Sequence, residues 1–299
     1  MSRTLDSRPI EPVVPTPAEL GPMIREEQVI ARRHMGRLPW EMVAWGLGNF
    51  VFWLSLWPLV FSGWLPLWAG FLLSCISMSL GYLPSHEAQH SIIGAEGTRW
   101  RWLNQLVGHV STIPLVFPYR VAWITHKQHH VHANDPLKDP DYDTMAPTWW
   151  QSVWRSAKAR QPMKNERYTR CLEESDDPMV QRALIEAAVM NIAFFSILTV
   201  LAWSGFALEA FFLWWLPKQF GWTYLQLFLS WAPHHPGTLT GRYGDTRAWK
   251  SSVGTILSMG MEYHIVHHLF PTIPLFQTGP AYWDLRETLE KRGVRNDGL

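Results

Sequence analysis

Three histidine clusters punctuate this chain. His86 and His90 lie in H-E-A-Q-H, His126, His129 and His130 in H-K-Q-H-H, and His264, His267 and His268 in H-I-V-H-H. Eight of the 13 histidines fall within them. On a helix, positions i, i+3 and i+4 share one face, so each H-x-x-H-H can aim three imidazoles at one point. Neutral imidazole is the commonest protein metal ligand. Eight converging ligands exceed the roughly three or four that one zinc ion takes. The spacing therefore predicts two transition-metal ions side by side.

The first cluster read alone is also H-E-x-x-H, the zinc metalloprotease signature, with Glu87 as general base. A membrane zinc protease is thus a second reading. It needs one further ligand and leaves both H-x-x-H-H clusters unexplained. The full set favours iron, which is redox-active and accepts imidazole. An iron pair can use O₂ and two electrons to attack an unactivated C–H bond; zinc has no redox chemistry. Soluble di-iron bundles mix Glu with Glu-x-x-His ligands, and this chain lacks that pattern. A metal transporter or sensor would put ligands inside apolar runs, whereas every cluster lies just outside them.

The elements that must position these residues are apolar runs. Hydrophobic residues make up 47% of the 299 residues, and the net charge is +1, which gives no reason to expect nucleic acid. Residues 42–61, 65–83, 187–203 and 206–231 form long apolar stretches near the roughly 20 residues that cross a bilayer as a helix. The fourth contains Glu209, Pro217 and Lys218, which are costly in lipid. Two hairpins follow, with tips at Ser62–Trp64 and Ser204–Gly205. Four crossings put all three clusters on one membrane face. An odd number would strand the third behind about 30 Å of hydrocarbon. Both tips lack Lys and Arg, while Arg25, Arg32, Arg33 and Arg37 precede the first span. Positive charge stays inside, so termini and histidines are expected on the cytoplasmic side of the inner (plasma) membrane.

Met1–Leu20, with four prolines, reads as a disordered tail without a cleaved signal peptide, within a cytosolic segment 1–38. A single domain is expected over 39–299. Trp100–Tyr119 reads as an interfacial or re-entrant helix, and Asp135–Glu186 as a polar cytosolic cap. Cys75 and Cys171 imply neither a disulfide framework nor an iron–sulfur site. Tryptophans at 40, 64, 100, 102, 203 and 231 read as interfacial anchors.

The order H-E-A-Q-H, H-K-Q-H-H, H-I-V-H-H-L-F-P, with intervening hairpins, resembles the membrane fatty acid desaturase–hydroxylase superfamily over about Leu38–Tyr282. H-K-Q-H-H-V-H-A-N-D-P, ending in Asp139-Pro140-Asp141, and the run from Glu262 to Pro271 look like its bacterial β-carotene hydroxylase branch. The first box is H-x-x-x-H, whereas desaturases often have H-x-x-x-x-H. The resemblance implies an all-α membrane protein with four transmembrane helices in two hairpins and a cytosolic helical cap holding two irons. It implies a ninth ligand after the fourth span, at His234 in preference to His235. It also implies desaturation or hydroxylation of a fatty acyl chain, or of a carotenoid ring, with O₂ as co-substrate.

No fused reductase is seen, so an external donor such as a ferredoxin, a rubredoxin or a cytochrome with its reductase is expected. Arg155, Lys158, Arg160, Lys164 and Arg167 are candidates for its docking, or simply a positive patch facing lipid head groups. Glu87, Asp135, Asp139, Asp141 and Glu262 can orient ligand rings by accepting their N–H groups, with Asp139 and Asp141 favoured. His34 reads as a surface residue and His109 as structural. His132 faces away from its cluster.

Overall fold

The computed structural model describes residues 12–161 and 166–299. Lys164 and the first eleven residues of the expected tail lie outside the described residues. The chain is helical throughout: α1 Pro17–Ala31, α2 Trp40–Phe61, α3 Leu67–Leu80, α4 Tyr82–Gln89, α5 Arg101–Thr112, α6 Tyr119–His132, α7 Trp149–Ala159, α8 Glu166–Glu173, α9 Val180–Trp203, α10 Ala207–Ala210, α11 Leu216–Leu225, α12 Ala232–His234, α13 Gly254–Leu257, α14 His264–Leu269 and α15 Leu275–Lys291. The strand content is one two-residue parallel pairing, Ala248 with Asn296 and Trp249 with Asp297.

Among the described residues, three helices are long and apolar enough to cross a membrane: Trp40–Phe61, Leu67–Gln89 and Val180–Trp203. The second runs past the expected end because Gly81 stays right-handed helical, joining α3 to α4. The third starts at Val180, inside the stretch read as cap. The expected fourth span is helical but differs in kind from the other three. A π-helical turn, Phe211–Trp215, joins α10 to α11, and another, Gln226–Trp231, joins α11 to α12. Every junction residue remains right-handed helical. The chain therefore turns without a break from 207 to 234. The tail expectation fails at Pro17. Thr16 and Glu19 form a reciprocal capping box there, and Pro17 sits where its missing N–H costs nothing.

Close approach holds the helices together. Trp214 packs edge-on against Trp53 (5.1 Å between ring centres) and against Phe194 (4.9 Å). Their polar handles are satisfied: Trp53 Nε1 donates to Leu213 O at 3.3 Å, and Trp214 Nε1 to Pro114 O at 2.8 Å. A Cβ at Gly221 would stand 2.6 Å from Met78 Cβ, so α11 and α3 touch through a residue that must be small. Only Ala183 and Phe194 of α9 are buried, which leaves most of that apolar helix facing outward. α5 buries Leu103, Asn104 and Val107 and exposes Trp102 and Leu106, the two-faced form expected of an interfacial helix. Trp40, Trp64, Trp102 and Trp203 are exposed, as anchors must be.

A second core lies beside the first. Ile265, Val266 and Leu269 of α14 pack with Tyr282, Leu285 and Leu289 of α15 and Ala31 of α1. Glu27, fully buried, accepts from Arg242 (2.8 Å) and Tyr243 (2.5 Å), pinning α1 to the loop after α12. His34 is bonded to Asp284 of α15 (2.9 Å) rather than free at the surface.

Gly221→Leu should lower stability by about 1–3 kcal/mol through overpacking. Gly48→Leu, where a Cβ meets nothing within 4 Å, should leave it unchanged. Thermal unfolding in detergent reads both.

Candidate metal centre

Four elements deliver the histidines. α4 ends the second apolar helix and carries His86, with His90 as its C-cap. α6 carries His126, His129 and His130 on successive turns. Its end is set by Asn134 in the left-handed region (φ 67°), which Asn tolerates better than most residues. Asn134 Nδ2 then donates to Leu239 O (2.7 Å) and Asp245 O (2.8 Å), fastening α6 to the loop after α12. α14 is short, but its first residue is His264, so His267 and His268 follow at the i+3 and i+4 positions. α12 ends in His234.

These rings converge. Ligand nitrogens of His86, His90, His126, His130 and His267 all lie within 4.8 Å of one another, and so do those of His129, His234 and His268. The two groups adjoin: the rings of His130 and His268 stack with centres 4.4 Å apart. His264 borders both, with ring centres 5.1 Å from His267 and 4.8 Å from His268. Of the two candidates after the fourth segment, His234 enters the cluster, its Nε2 3.2 Å from that of His129. His235 turns away and packs on Trp231 (4.7 Å).

The donor set suits metal ions. Several nitrogens face each other with no acceptor between them: His90 and His126 Nε2 at 2.9 Å, His126 and His130 at 3.0 Å, His130 and His267 at 2.9 Å. Two nitrogens that share one ion at about 2.1 Å each stand about 3 Å apart. Both ring nitrogens of His268 and Nδ1 of His264 are buried without a partner. Burial pushes His126, His130, His264, His267 and His268 well below the usual imidazole range, so they are neutral and able to ligate.

Carboxylates orient the second group. Asp139, fully buried, accepts from His129 Nδ1 at 2.9 Å and from Asn134 N at 2.9 Å. Burial lowers His129, but the adjacent Asp139 outweighs it and lifts the ring to about 9. Asp141 lies farther off, 3.8 Å from His129 Nδ1, and accepts from Tyr168 (2.7 Å). The other three expected carboxylates bond elsewhere. Glu87 accepts from Leu275 N at the start of α15, Glu262 from Thr255 and Ser258, and Asp135 from Leu137 N (2.8 Å). Sequence reasoning missed Asp245. Its carboxylate stands 3.8 Å from His268 Nδ1 and its carbonyl accepts from His234 Nδ1 at 2.9 Å. No spacing signals it, because only the folded loop brings it there.

His109 bonds Gln105 O (2.7 Å) and Arg120 (3.0 Å), a structural role. Three of the docking candidates are engaged within the protein. Arg155 holds Met145 O, Arg160 holds Thr223 (2.8 Å), and Arg167 holds Asp143 (2.8 Å).

A small, partly open cavity of about 50 Å³ abuts the cluster. His86, His126, His129 and His264 line one end, and Phe117, Trp222, Leu225 and Leu229 line the rest.

A family model described as fatty acid desaturase matches residues 62–297. The chain belongs to the fatty acid desaturase family. It is similar to the sn-1 oleoyl-lipid 12-desaturase of Anabaena variabilis, at 27% identity over 31% of this chain and 26% of that protein. It is also similar to proteins of the same description from a Picosynechococcus strain (25% identity, 32% and 28% of the two chains) and a Synechocystis strain (31%, 21% and 16%). The chain therefore spans less than a third of the length of each of these relatives.

Asp139→Asn should weaken metal retention about 10- to 100-fold, the usual cost of removing an outer hydrogen-bond partner. His234→Ala should lower the metal content of the purified protein, whereas His235→Ala should not. Equal metal content in the two histidine variants would exchange their roles.

Proposed function

We propose that this chain is a membrane-bound, di-iron, O₂-dependent oxidoreductase that desaturates or hydroxylates an unactivated C–H of a fatty acyl chain. The observation that carries this reading is the convergence of nine imidazoles, six of them buried, beside a cavity lined largely by apolar side chains. His86, His90, His126, His130 and His267 would hold one iron and His129, His234 and His268 the other, with His264 reaching either. Bound there, the irons supply the oxygen-activating redox chemistry that side chains lack.

The chain's own residues bind, orient and exclude water. Phe117, Trp222, Leu225 and Leu229 give an acyl chain an apolar path that ends at His86 and His264. Asp139 holds the Nδ1 proton of His129, so His129 would ligate a bound metal through Nε2, giving up the proton there. The Asp245 carbonyl does the same for His234. Two hydrogens lost give a double bond; one replaced by hydroxyl gives an alcohol.

Four crossings complete the topology, with 207–234 as the last and the metal centre on the cytoplasmic side of the inner membrane. Support comes from the unbroken helical path and from His234 lying with the other clusters. An external donor, a ferredoxin, rubredoxin or cytochrome with its reductase, delivers the electrons to the cap.

The relatives' description favours an acyl substrate over a carotenoid ring. The zinc protease reading leaves most of the gathered imidazoles without a role.

Purified protein should carry about two irons per chain, given about four ligands per ion; a single zinc would return the protease. Expression in a carotenoid-making host should alter the fatty acid profile, and altered pigment with unchanged acyl chains would exclude the acyl substrate. His267→Ala should abolish product while membrane insertion persists.

A further inference from the structure

A second, partly open cavity of about 430 Å³ lies among α6, α9 and α11. It shares Phe117, Asp141, Tyr168, Trp222 and Gln226 with the histidine-lined cavity, so the two adjoin. Two cations line it, Lys218 of α11 and Arg160 at the C-cap of α7. Arg160 is held in place by Thr223 (2.8 Å) and by the Gln226 side chain, while its Nε is buried without a partner. Lys218 Nζ sits 4.6 Å from the ring centre of Phe194. Among the described residues neither cation has a carboxylate partner.

The acids on the same wall are already engaged. Asp143 pairs with Arg167 at 2.8 Å, and Asp141 accepts from Tyr168 at 2.7 Å. An intramembrane cation that faces a cavity, unneutralised by protein, marks a path for a ligand of opposite charge. A charge-assisted hydrogen bond to an anion would satisfy the orphaned Nε.

We propose that Lys218 and Arg160 bind the anionic head group of the lipid substrate, a carboxylate or a phosphate. Its apolar chain then passes the Phe117–Trp222 wall toward the histidines. This rests on the acyl-lipid reading above and adds to it the chemistry of the substrate's polar end.

The test is equilibrium binding to metal-free, full-length protein in neutral detergent, which does not depend on turnover. The probes are radiolabelled oleate, dioleoylphosphatidylglycerol and, as the uncharged control, oleyl alcohol. Lys218→Gln should weaken at least one anion about tenfold, Lys218→Arg should restore it, and oleyl alcohol should bind all three proteins alike. The anion affected names the source: oleate for a free acid, phosphatidylglycerol for a phospholipid. Arg160→Gln should repeat the loss, and it carries the test if Lys218→Gln does not fold. Undiminished binding of both anions overturns the proposal, as does equal loss of oleyl alcohol. A protein that binds the anions through Lys218 yet makes no acyl product would sink the enzymatic reading and leave the site standing.

Discussion

The histidine cluster depends on one constraint: many imidazoles packed together out of water must remain neutral. Protonation would bury several like charges within a few ångströms, and the low-dielectric surroundings would make that repulsion severe. Burial therefore drives the rings of His126, His130, His264, His267 and His268 toward the free base. Free-base nitrogens pointing at each other are themselves unsatisfied, and a cation between them resolves the conflict. His129 is the informative exception, because Asp139 is spent on it. A carboxylate at Nδ1 fixes the tautomer and raises the basicity of Nε2, the nitrogen that faces His234.

Holding such a cluster needs rigid supports on every side. Each histidine group projects from a helix whose opposite face is committed to a core. α4 continues an apolar helix pinned beneath α11 by the Met78–Gly221 contact. α14 is only six residues long, too short to persist alone, and it borrows order from α15 and α1 through Ile265, Val266 and Leu269. The buried Glu27 then ties α1 to the loop that presents Asp245. Breaking that ion pair would leave an uncompensated charge, so it acts as a specific lock. Glu87, whose position invites a catalytic role, instead holds the first turn of α15 against α4.

Much of the site was legible in the sequence because helical spacing and metal chemistry are both local rules. H-x-x-H-H fixes three rings on one face wherever a helix forms. The parity of apolar runs then requires the clusters to share a side. Asp139 was legible for the same reason, lying ten residues from His129 across one tight turn. What stayed hidden is long-range. Asp245 reaches His268 only after Asn134 has fastened two loops together. Glu87, Asp135 and Glu262 share the chemistry of Asp139 but find nearer partners, and proximity in sequence cannot rank those competitors. The start of α1 was misread because proline content was weighed above the Thr16–Glu19 capping box.

The segment from 207 to 234 shows why periodicity alone misjudges a functional helix. A regular helix advances about 100° per residue, so one inserted residue rotates everything beyond it by about that angle. Two π-helical turns interrupt this segment, at Phe211–Trp215 and Gln226–Trp231. Each widens the backbone locally and resets which face looks inward, and such turns cluster at functional sites. The first comes just before Pro217, which cannot donate to the preceding turn in any case. The second comes just before His234 and decides that this ring, rather than His235, meets His129. A sequence reader who keeps strict helical phase from Phe206 sees a segment weakened by Glu209, Pro217 and Lys218. The folded chain carries His234 from this irregular segment to the cluster, and Lys218 of the same segment lines a cavity.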